Sequence, residues 1–176
     1  MSSQTLANKK IAILSTNGFE DSELTSPREA VNAAGATSVV IAPEAGAIEG
    51  KSGEKVAVAQ TTAEAKATDF DALILPGGTG NADHIRMDEA AVAFVREITQ
   101  AGKPVGVICH GGWILTDADA LNGVRMTSYP SLQTDLSNAG AQWVDEEVVV
   151  DKRIVSSRTP EDLPAFNKAI VEEFAK

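Results

Sequence analysis

Three short, unbroken apolar runs punctuate the chain, each too short for a helix and each ending in turn residues. They are Ile11 to Ser15 (IAILS), Ala72 to Gly78 (ALILPGG) and Val105 to Cys109 (VGVIC). A fourth run, Ser38 to Pro43 (SVVIAP), is rich in β-branched residues. Continuous apolar runs bounded by Gly and Pro read as strands buried on both faces, as in a parallel sheet. Between them the spacing becomes helical. Residues 24–34 carry Leu24, Val31 and Ala34 and stop at Gly35, while residues 87–101 set Met87, Ala91, Phe94, Val95 and Ile98 on one stripe before Gly102. From Leu163 to Phe174, apolar Phe166, Ile170 and Phe174 recur every four residues. Strands alternating with helices predict an α/β layered fold around a mostly parallel sheet.

Other segments are less regular. Ser26-Pro27-Arg28-Glu29 fits a capping box with Pro in the first turn. Alternatively, Asp21 or Ser22 caps an earlier start, and Pro27 then lies inside the helix and bends it. Residues 46–62 predict a small strand-turn-strand excursion turning near Ser52-Gly53. Residues 143–157 carry apolar Trp143-Val144, Val148 to Val150 and Ile154-Val155 around Asp151-Lys152-Arg153, and predict antiparallel edge strands. There are no repeats, low-complexity runs or linker, so residues 1–176 are expected to form one domain, with 1–8 a flexible N-terminus.

Charge narrows the classes of function. The 176 residues hold 25 Asp plus Glu against 15 Lys plus Arg, a formal net charge of −10. Such a surface repels phosphate, which argues against nucleic acid or an anionic membrane as primary partner. A single cysteine excludes an internal disulfide framework and a thiolate zinc cluster. No apolar run approaches the roughly 20 residues that span a bilayer, and the N-terminus lacks the apolar core of a signal peptide. The expectation is a soluble, cytoplasmic, acidic domain needing no metal or cofactor. The acidic Asp145-Glu146-Glu147 reads as a solvated hairpin and not as a metal site.

The one cysteine, Cys109, closes a buried strand and opens a glycine-rich turn, Cys109-His110-Gly111-Gly112. In open α/β sheets ligands bind at the carboxyl ends of the strands, and a sharp strand-to-helix turn projects its apex side chain there as a nucleophile elbow. A helix N-terminus at such an elbow would lower the thiol pKa. The alternative is a small buried hydrophobe, the usual lot of a lone cysteine. His110 beside it could act as base, although neighbouring side chains normally diverge and only a kinked elbow would bring them together. His84 reads as an exposed loop residue. Pro76-Gly77-Gly78-Thr79-Gly80 ends a second strand and fits neither phosphate-binding glycine motif, so it is better suited to donating backbone N–H groups to an oxyanion. Glu20 follows the first strand, so three strand-end loops are expected to converge. A carboxyl beside a thiolate is pushed towards its protonated form, able to donate to sulfur.

Phe19-Glu20-Asp21, Leu75-Pro76-Gly77-Gly78, Val107-Ile108-Cys109-His110-Gly111 and Thr127-Ser128-Tyr129-Pro130 occur in order, followed by Asn138 to Ala141 and Trp143 to Asp151. In these the chain resembles the PfpI-type intracellular protease family over residues 9–175. That family lies in the class I glutamine-amidotransferase-like superfamily, beside the Parkinson's-disease-associated protein deglycase. The resemblance implies a flavodoxin-like α/β sandwich with helices on both faces and Cys109 as nucleophile. By position it implies Glu20 hydrogen-bonding the sulfur, His110 as the adjacent histidine, and the N–H groups of Gly78 and His110 as oxyanion hole. It also implies dimers and hexamers, with Asp83 of a neighbouring subunit as the acidic partner of His110. One departure is Gly112, where the family usually has Pro; a looser elbow is expected. Activities implied are peptidase, and deglycase or glyoxalase action on methylglyoxal or its adducts in a stress response. Non-enzymatic readings are a redox sensor through Cys109 and a chaperone, the latter disfavoured by 5% aromatic content. Glutamine amidotransfer is disfavoured because no histidine follows His110.

Overall fold

A computed structural model describes residues 4–176. Seven strands form the central sheet: β1 (Lys10–Leu14), β2 (Thr37–Ala42), β5 (Gln60–Thr61), β6 (Ala72–Leu75), β7 (Val105–Ile108), β10 (Val149–Asp151) and β11 (Ile154–Ser157). Their order is β10-β11-β7-β6-β1-β2-β5, parallel throughout except for the β10–β11 hairpin. The register sets Ile11 beside both Ser38 and Ala72, and Val105 beside Leu73 and Ile154. The four apolar runs of the sequence are the strands β1, β2, β6 and β7.

Strand alternation sends Ala12, Leu14, Val105 and Val107 to one face and Ile11, Ile13 and Ile108 to the other. The first face is covered by α3 (Glu89–Gln100), α4 (Trp113–Asp117) and α5 (Gln133–Asn138) through residues such as Phe94, Leu115 and Leu136. The second is covered by α1 (Asp21–Ala33) and α6 (Leu163–Phe174), through Leu24, Val31, Phe166, Ile170 and Phe174. The layered α/β expectation holds, with helices on both sides.

Local differences have local causes. Helix α1 starts earlier still than a cap at Asp21 or Ser22 predicts, at Asp21 itself with Glu20 as N-cap, so Pro27 lies inside it as the early start implies, without the N–H that would close onto the carbonyl of Glu23. The excursion at 46–62 contains an antiparallel hairpin, β3 (Gly46–Glu49) with β4 (Lys55–Val58). Of the expected edge strands, only β10 is one. β11 lies inside the sheet, parallel to β7, and Trp143 belongs to β9 (Gln142–Trp143), which pairs in parallel with β8 (Arg125–Met126). The expected loop after Pro76-Gly77-Gly78 is a short helix, α2 (Thr79–Ile85), so His84 is helical, though exposed as predicted. Residues 1–3 of the predicted flexible N-terminus lie outside the described residues. The rest is tied down: Leu6 is fully buried, and its N–H donates to the Ala34 carbonyl at 2.9 Å.

Candidate active site

Strand β7 delivers Cys109 to the apex of a bend in which its φ is +61°, a left-handed value that is strained for a side chain with a Cβ. A tight 3-10 turn over Cys109–Gly112 follows and runs directly into α4. The bend fits against the β6 loop only because residue 111 is glycine; a Cβ there would lie 2.6 Å from the Leu75 carbonyl oxygen. Gly78, at φ +90°, is held as closely on the other side, where a Cβ would collide with the carbonyl of Gly18. These contacts hold the Cys109 sulfur at the carboxyl end of the sheet, 8% exposed.

The bend also removes the usual divergence of adjacent side chains. His110 Nδ1 lies 3.2 Å from Cys109 Sγ. The imidazole is stacked on Tyr129, with centroids 4.5 Å apart, and meets Trp113 edge-on at 5.5 Å. Its Nε2 sits 3.4 Å from the hydroxyls of both Thr79 and Ser131, and no carboxylate among the described residues hydrogen-bonds the ring. Burial, and then the charge of Lys51, push the His110 pKa down, so the ring is neutral at neutral pH.

The carboxyl beside the sulfur is Glu23 and not Glu20. Because α1 begins at Asp21, Glu23 shares the inward stripe of Leu24, Pro27 and Val31 and is fully buried. Its Oε1 accepts the Gly77 N–H at 3.0 Å, and its buried Oε2 has no partner of regular geometry among the described residues. Burial, with the charge of Glu20 nearby, pushes the Glu23 pKa up to about 8, so the carboxyl is protonated at neutral pH. Its O–H then has the sulfur as the acceptor at hand. Glu20, the residue before the helix, points to the mouth of the same pocket and pairs with Lys51.

The expected lowering of the thiol pKa is not what this environment produces. Burial, and then the Glu23 charge, push Cys109 up to about 12, against the N–H groups of His110 and Gly78, which favour the thiolate. The Glu23 contribution fades when that carboxyl is neutral. The two amides aimed at the sulfur are the pair expected to form an oxyanion hole. Asp83 is exposed on α2.

Besides Glu23, two contributors escaped the sequence reading. Lys51 is carried to the pocket by the turn between β3 and β4. That turn is fastened to the start of α1, since Asp21 accepts the N–H groups of Ser52 and Glu54, both at 3.1 Å, and Lys51 N donates to the Phe19 carbonyl at 2.9 Å. Asn81 is buried beneath the site. Its Nδ2 donates to the carbonyls of Pro76 and Gly77, both at 3.1 Å, and its Oδ1 accepts Thr16 N at 2.8 Å, which joins two strand-end loops. An Asn two residues into a helix after Pro-Gly-Gly is the only sequence signal for this role. The resulting pocket, about 190 Å³, is also walled by Thr159 and Pro160 from beyond β11. Among the described residues no group of His, Cys, Asp and Glu side chains is placed to hold a metal ion, and Asp145 and Glu146 instead pair with Arg158 and Arg125.

A parallel α/β sheet with a buried cysteine and histidine at a strand-to-helix elbow defines a class of cysteine-centred α/β proteins. Within it, the chain belongs to the DJ-1/PfpI family, whose model matches residues 9–173. It is 46% identical to protein/nucleic acid deglycase 2 of Escherichia coli strain K12, over 92% of this chain and 95% of that protein. It is 48% identical to a candidate cysteine protease, YraA, of Bacillus subtilis strain 168, over 92% of this chain and 95% of the other. Among solved structures, a two-domain protein with DJ-1/ThiJ/PfpI-like and ferritin-like domains from Anabaena variabilis superposes with a TM-score of 0.91 at 37% identity, over 94% of this chain; the chain spans 48% of its length.

Proposed function

We propose that the protein is a cytoplasmic, stress-related enzyme in which Cys109 attacks carbonyl carbon, with methylglyoxal or its adducts as substrate. The observation that carries this reading is the 3.2 Å approach of His110 Nδ1 to Cys109 Sγ, with two backbone amides aimed at the same sulfur. As the sulfur bonds to the aldehyde carbon, neutral His110 takes the thiol proton and the C=O electron pair moves onto oxygen, facing the N–H groups of Gly78 and His110. Protonated Glu23 adds no negative charge against the sulfur. His110 gives the thiol proton to the oxyanion, and the freed ring then carries the adduct carbon's proton to the neighbouring ketone carbon while the hydroxyl proton passes to the ketone oxygen, which gives an acyl thioester without any external oxidant. Water then releases the hydroxy acid and restores the thiol. A second copy of the chain supplying Asp83 to His110 Nε2 completes the proposal; among the described residues Nε2 otherwise meets two hydroxyls. Methylglyoxal consumption, followed by lactate formation, is expected to vanish in Cys109→Ala. Retained turnover would overturn the reading.

The unpaired Oε2 of Glu23 favours a second reading, oxidation of Cys109 by peroxide. Two peroxide molecules are reduced to water as the thiol becomes a sulfinic acid, whose oxygens the Glu23 O–H would hold. A gain of two oxygens at stoichiometric peroxide, without methylglyoxal turnover, would select it. Cleavage of peptides by the same cysteine follows the likeness to the Bacillus relative, and peptide hydrolysis without methylglyoxal turnover would select that.

A further inference from the structure

At the opposite end of β7 from Cys109 lies a second pocket, of about 210 Å³, lined by Lys103, Lys152 and Arg153 together with the polar Thr99 and Asn122. No Asp or Glu lines it among the described residues, although the chain carries a net charge of −10. The lysine heads are held without being neutralised. Lys103 Nζ donates to the Ala67 carbonyl and Lys152 Nζ to the Gly123 carbonyl, each at 2.8 Å, which leaves further N–H donors on both ammonium groups. Arg153 has one carboxylate neighbour, Glu173, at 3.3 Å from NH1, and Glu173 also pairs with Lys176.

Backbone strain coincides with this charge. Lys152 and Arg153 are the two central residues of the β10–β11 turn, at φ +48° and +67°. A two-residue turn that is left-handed at both positions is ordinarily Asn-Gly. Here two long cationic side chains hold it against their own preference: Lys152 Nζ stays over the Gly123 carbonyl beside the pocket, while the Arg153 guanidinium reaches Glu173 of α6. Strain kept at a surface turn, where glycine would relieve it, needs a compensating role. The volume is below that of a typical pocket for larger ligands, about 300 Å³ and upwards, and suits a small anion.

We infer that the pocket between Lys103 and the Lys152-Arg153 turn is a binding site for a phosphate group carried by a small molecule, separate from the cysteine centre. Its assignment does not depend on the reaction at Cys109.

The test is titration of the full chain with inorganic phosphate, and separately with glycerol 3-phosphate, at ionic strength matched with chloride. Amide spectra and the thermal midpoint are followed together. Saturable shifts are expected at Gly102 and Gly123 and not at Gly78 or Gly111. The double variant Lys152→Asn, Arg153→Gly is expected to raise the midpoint of the unliganded protein while weakening phosphate binding about tenfold per lost charged contact. Lys103→Gln, which leaves the turn untouched, is expected to weaken binding likewise. Absence of saturation beyond chloride would overturn the site, as would binding unchanged in both variants, shifts confined to Gly78 and Gly111, or equally tight binding of acetate.

Discussion

The floor and the mouth of the Cys109 pocket come from one turn of chain and have opposite electrostatic character. At the floor Glu23 is buried and protonated, bonded to the Gly77 N–H beside the sulfur. At the mouth, three residues earlier, the Glu20 side chain is 20% exposed and stays paired with Lys51. The acid able to share a proton with the nucleophile is thus selected by burial and helix phase, while the acid nearer the first strand becomes half of a solvated ion pair.

The largest test of this contrast is at the floor. With Glu23 raised from 4.5 to about 8, the folded protein keeps a proton that the unfolded chain releases above pH 4.5. That contribution to stability is full below pH 4.5 and declines as pH rises towards 8, by up to about 1.4 kcal/mol per pH unit. In Glu23→Gln this slope should disappear, so that urea midpoints at pH 5 and pH 8 converge. A slope left intact would place the proton on another group. Next in size is Asn81→Ala, which leaves the Pro76 and Gly77 carbonyls without their side-chain donor and is expected to cost about 3 kcal/mol in urea unfolding.

At the mouth the effects should be smaller. Burial and, after it, the Lys51 charge hold the His110 pKa down, so Lys51→Met lets it rise part of the way and moves the acid limb of the methylglyoxal pH–rate profile to higher pH. A limb that does not move would mean that the mouth exerts no control over the base. The smallest expected effect is at Gly112. Its φ of −69° suits any residue, and an added Cβ would stand 3.5 Å from Leu136, an ordinary contact. Gly112→Ala should therefore stabilise by about 0.4–1 kcal/mol with turnover unchanged.

Much of this architecture is legible in the residues alone. The runs at Ile11, Ala72 and Val105 announce buried strands because parallel strands need apolar side chains on both faces. The order Cys109-His110-Gly111 announces the elbow because only glycine tolerates the approach to the β6 loop. Glu23 was legible in principle, lying on the stripe of Leu24, Pro27 and Val31, but the stripe is read correctly only once the helix start is known. Caps at Asp21, Ser22 and Ser26 leave that start open, so proximity to β1 favours Glu20. Lys51 and Asn81 act across contacts distant in sequence, and no local period marks them. The rise in the thiol pKa depends on how deeply the elbow sinks among its neighbours, which spacing does not encode.

The rims of the sheet carry a consequence for self-association. One edge ends in β5, two residues long, and the other in β10, three residues long, where the Asp151 carboxylate takes the Arg125 N–H from neighbouring β8. Edges this short give an incoming strand little to zip onto, so sheet-to-sheet polymerisation has no template. Two copies set rim to rim along this sheet would share few backbone hydrogen bonds.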